Sequence, residues 1–331
     1  MASRKKTTKK AASAAAPTGT QVDKAKYVIF IVDGGIGKNI MATVPIRGIR
    51  AKYPDKKIVV VCGYPDVFKF NPNVYRVHPF QNTPDFYDNY VADEQAVVLK
   101  AEPYLDNRYV YKQGPLHCSQ LWCEMLGVPF DDSKPDLFLN KKELSQAKNF
   151  VQSKNRPVLL IQFNGGVPPR PNPQDPKQVV PAPKMFARNL PMQTAMHVGQ
   201  ELSEKYHVMV AGAATQPVWE GAERVSYPLR QTFAIVPHVH KLLLIDSMMQ
   251  HVAAALEKQA VVCWCGTSPD LLGYESHINL RMKECPTPEC HRPNSYLWDR
   301  DAKGQPWDCP HGEACVWHDE ADILAALKKS K

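Results

Sequence analysis

Apolar residues along the chain fall into short β-branched runs separated by longer amphipathic stretches, an alternation that predicts strand–helix–strand units with parallel sheets. The first run, Tyr27–Val32, closes on Asp33-Gly34-Gly35-Ile36-Gly37 and is followed by apolar positions at Ile40, Val44, Ile46 and Ile49, which predicts a strand, a glycine turn and a helix. Lys57–Cys62, bounded by Pro54 and Gly63-Tyr64-Pro65, is a second buried strand, so the opening unit is βαβ with a parallel pair. Residues 73–77 and Ala96–Leu99 add short strands, and 116–126 a helix.

The pattern then starts again. Residues 134–156 are polar and helical, with Leu144, Ala147 and Phe150 on one face, and 157–163 form an apolar strand ending in Asn164-Gly165-Gly166. A proline-rich loop over 167–183 leads to a helix over 192–206, a strand over 207–210, a helix over 229–238, a strand over 242–245, a helix over 247–256 and a last strand, Val261–Trp264. Each half opens with a strand that runs into glycines. The fold class expected is α/β, two Rossmann-like domains facing a central cleft: 26–150, then 151–331 with a Cys-rich segment at 285–318.

Charge changes the picture only at the N-terminus. The chain has 331 residues and a formal net charge of +8, but five cations (Arg4, Lys5, Lys6, Lys9 and Lys10) and no acid lie in the first 20 residues. The remaining 36 Lys and Arg against 33 Asp and Glu leave +3 for the rest, so no strongly basic groove is expected over the body of the protein. Residues 1–25 are expected to form a disordered basic tail, with a weak electrostatic anchor through residues 1–20, for nucleic acid or an anionic surface, as its candidate role. No apolar run of 18 residues occurs, so no membrane span is expected, and 11–17 is too short and too weakly apolar for a signal peptide. A cytoplasmic protein is expected, with its nine cysteines reduced.

Polar residues at the carboxyl ends of strands are where α/β proteins hold ligands. In the first half these are the turn around Gly35, Gly37, Lys38 and Asn39, headed by Asp33, and Glu102 after a further strand; each carboxylate is either a proton acceptor or a turn-stabilising group. In the second half, Asp246 ends an apolar strand, Ser247 takes an N-cap position and His251 lies one turn into a small-residue helix. Ser247 and the first-turn N–H groups suit a diphosphate and Asp246 suits sugar hydroxyls; the alternative is capping residues and a packed histidine. Neither glycine turn has the spacing G-x-G-x-x-G followed by an acid about 20 residues on, so no nicotinamide cofactor is expected.

Asp246-Ser247-x-x-x-His251-x-Ala253-Ala254-Ala255-Leu256, followed by Cys265-Gly266-Thr267-Ser268-Pro269, resembles the C-terminal signature of glycosyltransferase family 9, the ADP-heptose:lipopolysaccharide heptosyltransferases. The stretch from Gly37 to Pro45, then Ile49-Arg50-x-x-Tyr53-Pro54, is similar to that family's opening, and Arg188-Asn189-Leu190-Pro191 stands where the family has a Lys-Arg-Trp-Pro-like segment. The resemblance extends over about residues 27–320 and implies a GT-B architecture. It implies an inverting glycosyltransferase that takes a nucleotide-sugar as co-substrate, with the donor held by Asn164, Gly165, Arg188, Asp246, Ser247 and His251. The acceptor implied is a surface glycan or lipid-linked sugar; a hydroxymethylated DNA base, as in phage enzymes, fits the basic tail. The family's Gly-Asp in the first loop, whose aspartate is its candidate base, is Lys38-Asn39 here. An asparagine accepts no proton at neutral pH, so Asp33 or Glu102 takes that role, or the chain is a non-catalytic module that keeps the scaffold for sugar or protein binding.

Cys285, Cys290, Cys309 and Cys315 form two spaced pairs in a segment rich in Pro, Gly and Trp. Thiolate ligation of a structural Zn or Fe would give such a loop a fixed shape; free or redox-active thiols are the alternative.

Overall fold

The computed structural model describes residues 25–81, 83–92, 96–106, 108, 116–165, 170–171, 179–180, 188–283, 285–287, 289–290, 311 and 314–331. The expected tail, apart from Ala25, Gly166 and Cys309 lie outside them.

The first sheet is made of β1 (Tyr27–Val32), β2 (Lys57–Cys62), β3 (Arg76–Pro79) and β4 (Ala96–Leu99) in the order β3-β2-β1-β4, every pair parallel. Between β1 and β2 run α1 (Ile36–Met41) and α2 (Thr43–Lys52), and β4 is followed by α3 (Cys118–Leu126) and α4 (Lys141–Gln152). In the second half come β5 (Val158–Ile161), a two-residue antiparallel ladder of β6 (Arg170–Pro171) with β7 (Val179–Val180), α5 (Met192–Glu201), β8 (His207–Ala211), β9 (Glu223–Val225), α6 (Leu229–Ile235), β10 (Lys241–Ile245), α7 (Met248–Ala255), β11 (Val261–Trp264), α8 (Pro269–Leu272), β12 (Ile278–Arg281) and α9 (Glu320–Lys329).

The second sheet has the order β12-β11-β10-β5-β8-β9, again all parallel. Its strand order reverses between β5 and β10; the first sheet's reverses between β1 and β4. These are switch points, where the loops leaving two neighbouring strands diverge to opposite faces and leave a crevice at the carboxyl ends.

Strands in such sheets are covered on both faces and lose the alternation of half-exposed strands. Leu159, Ile161, Leu243 and Ile245 pack with Ala195 and Val198 of α5 and Ile323 and Leu327 of α9. Val158, Leu160, Leu242 and Leu244 face the other way, into a continuous apolar cluster that also takes in Val28, Phe30, Ile58 and Val60 of the first sheet. One core therefore runs between the two sheets, through α2, α3, α4, α6 and α7.

Several boundaries differ from the sequence reading for local reasons. The helix expected over 134–156 begins at Lys141, because Asn140 and Glu143 form a reciprocal cap there. The strand expected over 73–77 moves to Arg76–Pro79, since the Asn73 N–H donates to Asn71 Oδ1 (2.9 Å) and holds a turn ahead of it. The helix expected over 229–238 passes into a 3₁₀ turn at Val236, next to Pro237, which has no N–H to continue the ladder. Among the described residues no helix is long and apolar enough to cross a membrane.

Candidate functional site

Both switch points carry the polar residues expected of a ligand crevice. Asp33 leaves β1 and Glu102 follows β4, and they meet on one cation. Lys38, on α1, is buried and donates from Nζ to Asp33 Oδ1 (2.6 Å) and to Glu102 Oε2. The rings of Tyr104 and Trp122 each lie 5.5 Å from Nζ. Burial raises the Asp33 carboxyl, but the Lys38 ammonium, with Lys100 Nζ 3.8 Å from Oδ2, outweighs it and holds the group below its ordinary 3.8. Asn39 turns away from the crevice: it is fully buried, and its Nδ2 donates to the carbonyls of Gly34 (3.3 Å) and Gly35 (2.9 Å), tying the glycine turn to the helix.

At the second switch point, Gly165 follows β5 and Asp246-Ser247 follow β10. A β-carbon at Gly165 would stand 3.1 Å from Ser247 Oγ, so the two loops touch there. Gly165 N–H donates to Asn189 Oδ1 (2.9 Å), a contact the sequence reading did not assign although Asn189 lies in the Arg188-Asn189-Leu190-Pro191 segment. Asn164, next to it, is half-buried. Arg188 donates from Nε (3.1 Å) and Nη2 (2.6 Å) to the Asp246 carbonyl, and its Nε lies 3.3 Å from Asp246 Oδ2. Asp246 is 2% exposed, and its Oδ2 is buried and accepts no hydrogen bond of good geometry, so Arg188 is the cation beside it. Ser247 is the N-cap of α7 without a side-chain cap bond, so neither its hydroxyl nor the first N–H groups of the helix are tied to each other.

His251 sits one turn further on, buried, with Nδ1 sharing a 2.7 Å hydrogen bond with Tyr274 Oη. Burial, reinforced by His117, Arg188 and His277, drives its pKa well below 6.5, so the ring is neutral. Its other edge meets α1 at Gly37, while Gly35 is open on the side a β-carbon would take. α1 and α7, the helices that follow the two switch points, thus touch at Gly37 and His251.

The cysteine set is only partly described. Cys285 and Cys315 are buried in one small cluster with Cys265 and Val316, and Cys290 is half-buried. Among the described residues no three His, Cys, Asp or Glu side chains form a group that could hold a metal ion.

No family model and no curated protein sequence matches the chain. Solved structures do. Escherichia coli ADP-heptose LPS heptosyltransferase II is 16% identical, with a TM-score of 0.60 over 91% of this chain and 97% of its own. A glycosyltransferase family 9 protein of Veillonella parvula gives 14% and 0.61 over 92% and 96%. An iron-containing dodecameric heptosyltransferase of enterotoxigenic E. coli, solved with ADP-D-β-D-heptose, gives 13% and 0.59 over 92% and 76%. The chain has the heptosyltransferase-like fold of glycosyltransferase family 9. This GT-B fold brings two parallel sheets together with their carboxyl ends at a shared cleft, and the switch-point residues above lie at those ends.

Proposed function

We propose that the chain is an inverting glycosyltransferase that moves a sugar from a nucleotide-sugar donor to an acceptor hydroxyl, with the donor on the 151–331 side and the acceptor on the 26–150 side. The observation that carries this reading is the pairing of two switch points across the α1–α7 contact, one lined by Gly165, Arg188, Asp246 and Ser247 and the other by Asp33, Lys38 and Glu102. The bond from the anomeric carbon to the diphosphate oxygen breaks with its electron pair on the diphosphate. The acceptor oxygen attacks from the opposite face, and its proton passes to a carboxylate.

On the donor side, the α7 N-terminus and Ser247 hydroxyl meet the diphosphate, and Arg188 adds a cation beside it; donors of this kind act where charge develops on the leaving group. Asp246, its carboxylate buried beside Arg188, shapes the donor pocket. Asn164 and Gly165 form the floor, and His251 shapes the pocket from behind. On the acceptor side Asp33 is the base: Oδ1 is engaged by Lys38, Lys100 Nζ lies 3.8 Å from Oδ2, and the carboxyl also meets Glu102. Glu102 has both oxygens engaged, one by Lys38 and one by the Tyr104 N–H at 3.2 Å.

The acceptor is a glycan or lipid-linked sugar. Among the described residues Cys62, Cys118, Cys123, Cys263, Cys265, Cys285 and Cys290 are free thiols, which suits a reducing, cytoplasmic setting. The buried thiols of Cys285 and Cys315, completed by Cys290 and Cys309, would hold a structural Zn or Fe that fixes their loop; metal analysis of the purified protein and of C285S tests it.

A nucleotide-sugar panel in thermal unfolding tests the donor reading: a ligand at 100 times its Kd adds about 2.7 kcal/mol. Release of nucleoside diphosphate then separates an enzyme from a binding module, and D33N should lower kcat about 10²–10⁴-fold with donor affinity kept. No stabilisation by any donor, or full activity in D33N, would sink the reading. DNA binding that disappears when residues 1–20 are removed and weakens steeply with salt would instead favour the DNA acceptor.

A further inference from the structure

We propose that Lys38 is a positioning residue of the acceptor site, clamping Asp33 and Glu102 together at the first switch point so that Asp33 presents its second oxygen to the acceptor hydroxyl. This rests on the glycosyl-transfer reading and adds to it the residue that holds the proposed base in place.

The loop is built around this side chain. Gly34 has φ +84°, and a β-carbon there would lie 2.9 Å from Lys38 Cδ, so only glycine lets the lysine stem fold back over the turn. Asn39 fastens the same turn through the Gly34 and Gly35 carbonyls. The ammonium is thereby delivered into a nearly closed site, its side chain 4% exposed, between carboxylates that are 43% and 29% exposed.

Charge balance explains why the three belong together. A buried lysine without a partner would shed its proton, and two carboxylates at this separation without a cation would force one to take a proton up. The ammonium between them offsets one of the two negative charges and holds the Asp33 carboxyl down, and Glu102, its oxygens occupied, serves to hold Lys38 in place. The groups facing the cluster are Asp33 and Glu102 themselves, Lys100 beyond β4, and on α3 the Cys118 thiol, which burial pushes far up and keeps neutral. Tyr104 and Trp122 complete the wall. During transfer the proton of the acceptor hydroxyl goes to Asp33 Oδ2 while Oδ1 stays bound to Lys38, so the carboxyl does not rotate to receive it.

The test is the pH dependence of kcat/KM, followed by nucleoside diphosphate release, in the full-length protein, K38M and K38R. Expected are a roughly 10²-fold lower kcat in K38M, an acid limb moved up by about one pH unit or more, a donor KM within about threefold of the parent, and recovery of most of both losses in K38R. An acid limb and kcat in K38M equal to the parent's overturn the proposal. Should K38M not fold, K38M/E102Q, which lacks the second negative charge, carries the same expectation. If the parent protein transfers no sugar from any donor, the glycosyl-transfer reading fails by itself. The ¹³C titration of the Asp33 carboxyl then decides: a midpoint below 3.8 that rises in K38M supports the clamp, and equal midpoints overturn it.

Discussion

Gly37 rests directly on His251: a β-carbon at Gly37 would lie 2.9 Å from His251 Cδ2 and 3.2 Å from Nε2, with the Met248 backbone 3.6 Å away. Two helices that begin at the two switch points therefore touch through a glycine and an imidazole. G37A inserts a methyl where the neighbour is a packed ring already bonded to Tyr274, and overpacking of this kind costs about 1–3 kcal/mol. Thermal unfolding of G37A, H251A and the double variant should show a coupling of at least about 0.5 kcal/mol, because H251A removes the ring that the methyl strikes. Purely additive effects would mean that the two residues do not meet.

Asp246 and Arg188 should behave as a buried pair. Removing the guanidinium in R188M leaves the 2% exposed carboxylate without a cation, a change that typically costs about 3–5 kcal/mol. Adding D246N to R188M should restore most of that loss in urea unfolding while leaving nucleotide-sugar binding impaired. Recovery of donor affinity along with stability would argue that neither side chain touches the donor.

Acid should destabilise the fold earlier than carboxylate protonation requires. Burial lowers His117, His251, His277 and His318 below 6.5, His117 to about 4. Their folded pKa values lie below the unfolded ones, so the unfolded chain binds the extra protons. Stability is then complete above about pH 6.5, falls as pH drops through the window below it, and the His117 contribution levels off near 4. His117 also accepts the Ser119 N–H at Nδ1 (3.2 Å) as the N-cap of α3. H117N keeps a capping acceptor without the titration, and its Tm should decline less between pH 8 and 5; a Tm of the parent protein that does not move over that range would refute the account.

Arg230 of α6 binds three separate parts of the chain. It donates to Glu143 Oε1 (2.5 Å) and Oε2 (2.7 Å), to the Asp66 carbonyl (2.9 Å) beside the first sheet, and to the Phe138 carbonyl (2.7 Å) in the segment before α4. R230M breaks a largely buried pair and leaves two carbonyls without a donor, so a loss of about 3 kcal/mol or more is expected. Limited proteolysis should then cut faster in the 131–140 segment. Unchanged cleavage would show that the segment is held by its other contacts, such as the Arg47 bonds to Asp131 and Asp136.

How far the sequence reading reached follows from burial. β1, β2, β5, β10 and β11 are covered on both faces and stand out as unbroken apolar runs. β9 and β12 lie at the edges of the second sheet, carry Glu223, Arg224 and Arg281, and give no such run. The C-terminal helix α9 also went unread, although Asp319 caps it and Ile323, Ala326 and Leu327 form its buried face, because that face is only three residues wide.

For the site, the order of residue types along the chain was enough to mark Asp33, Glu102, Gly165, Asp246 and Ser247, since a polar group right after a buried strand is a local feature. What the chain order left open is which of them meet. Lys38 and Glu102 are 64 positions apart, and Arg188 and Asp246 are 58 apart. Their pairing depends on the strand orders that bring β4 beside β1 and β10 beside β5, and those orders are fixed by long-range packing. The sequence by itself determined most of the elements and which polar residues stand at their ends; only the tertiary structure decided that one lysine would pair with two acids and that Asn39 would face the turn instead of the cleft. Hydrophobic periodicity is set by nearest neighbours along the chain, whereas the charge around a buried group is set by whatever the fold carries to within a few ångströms of it.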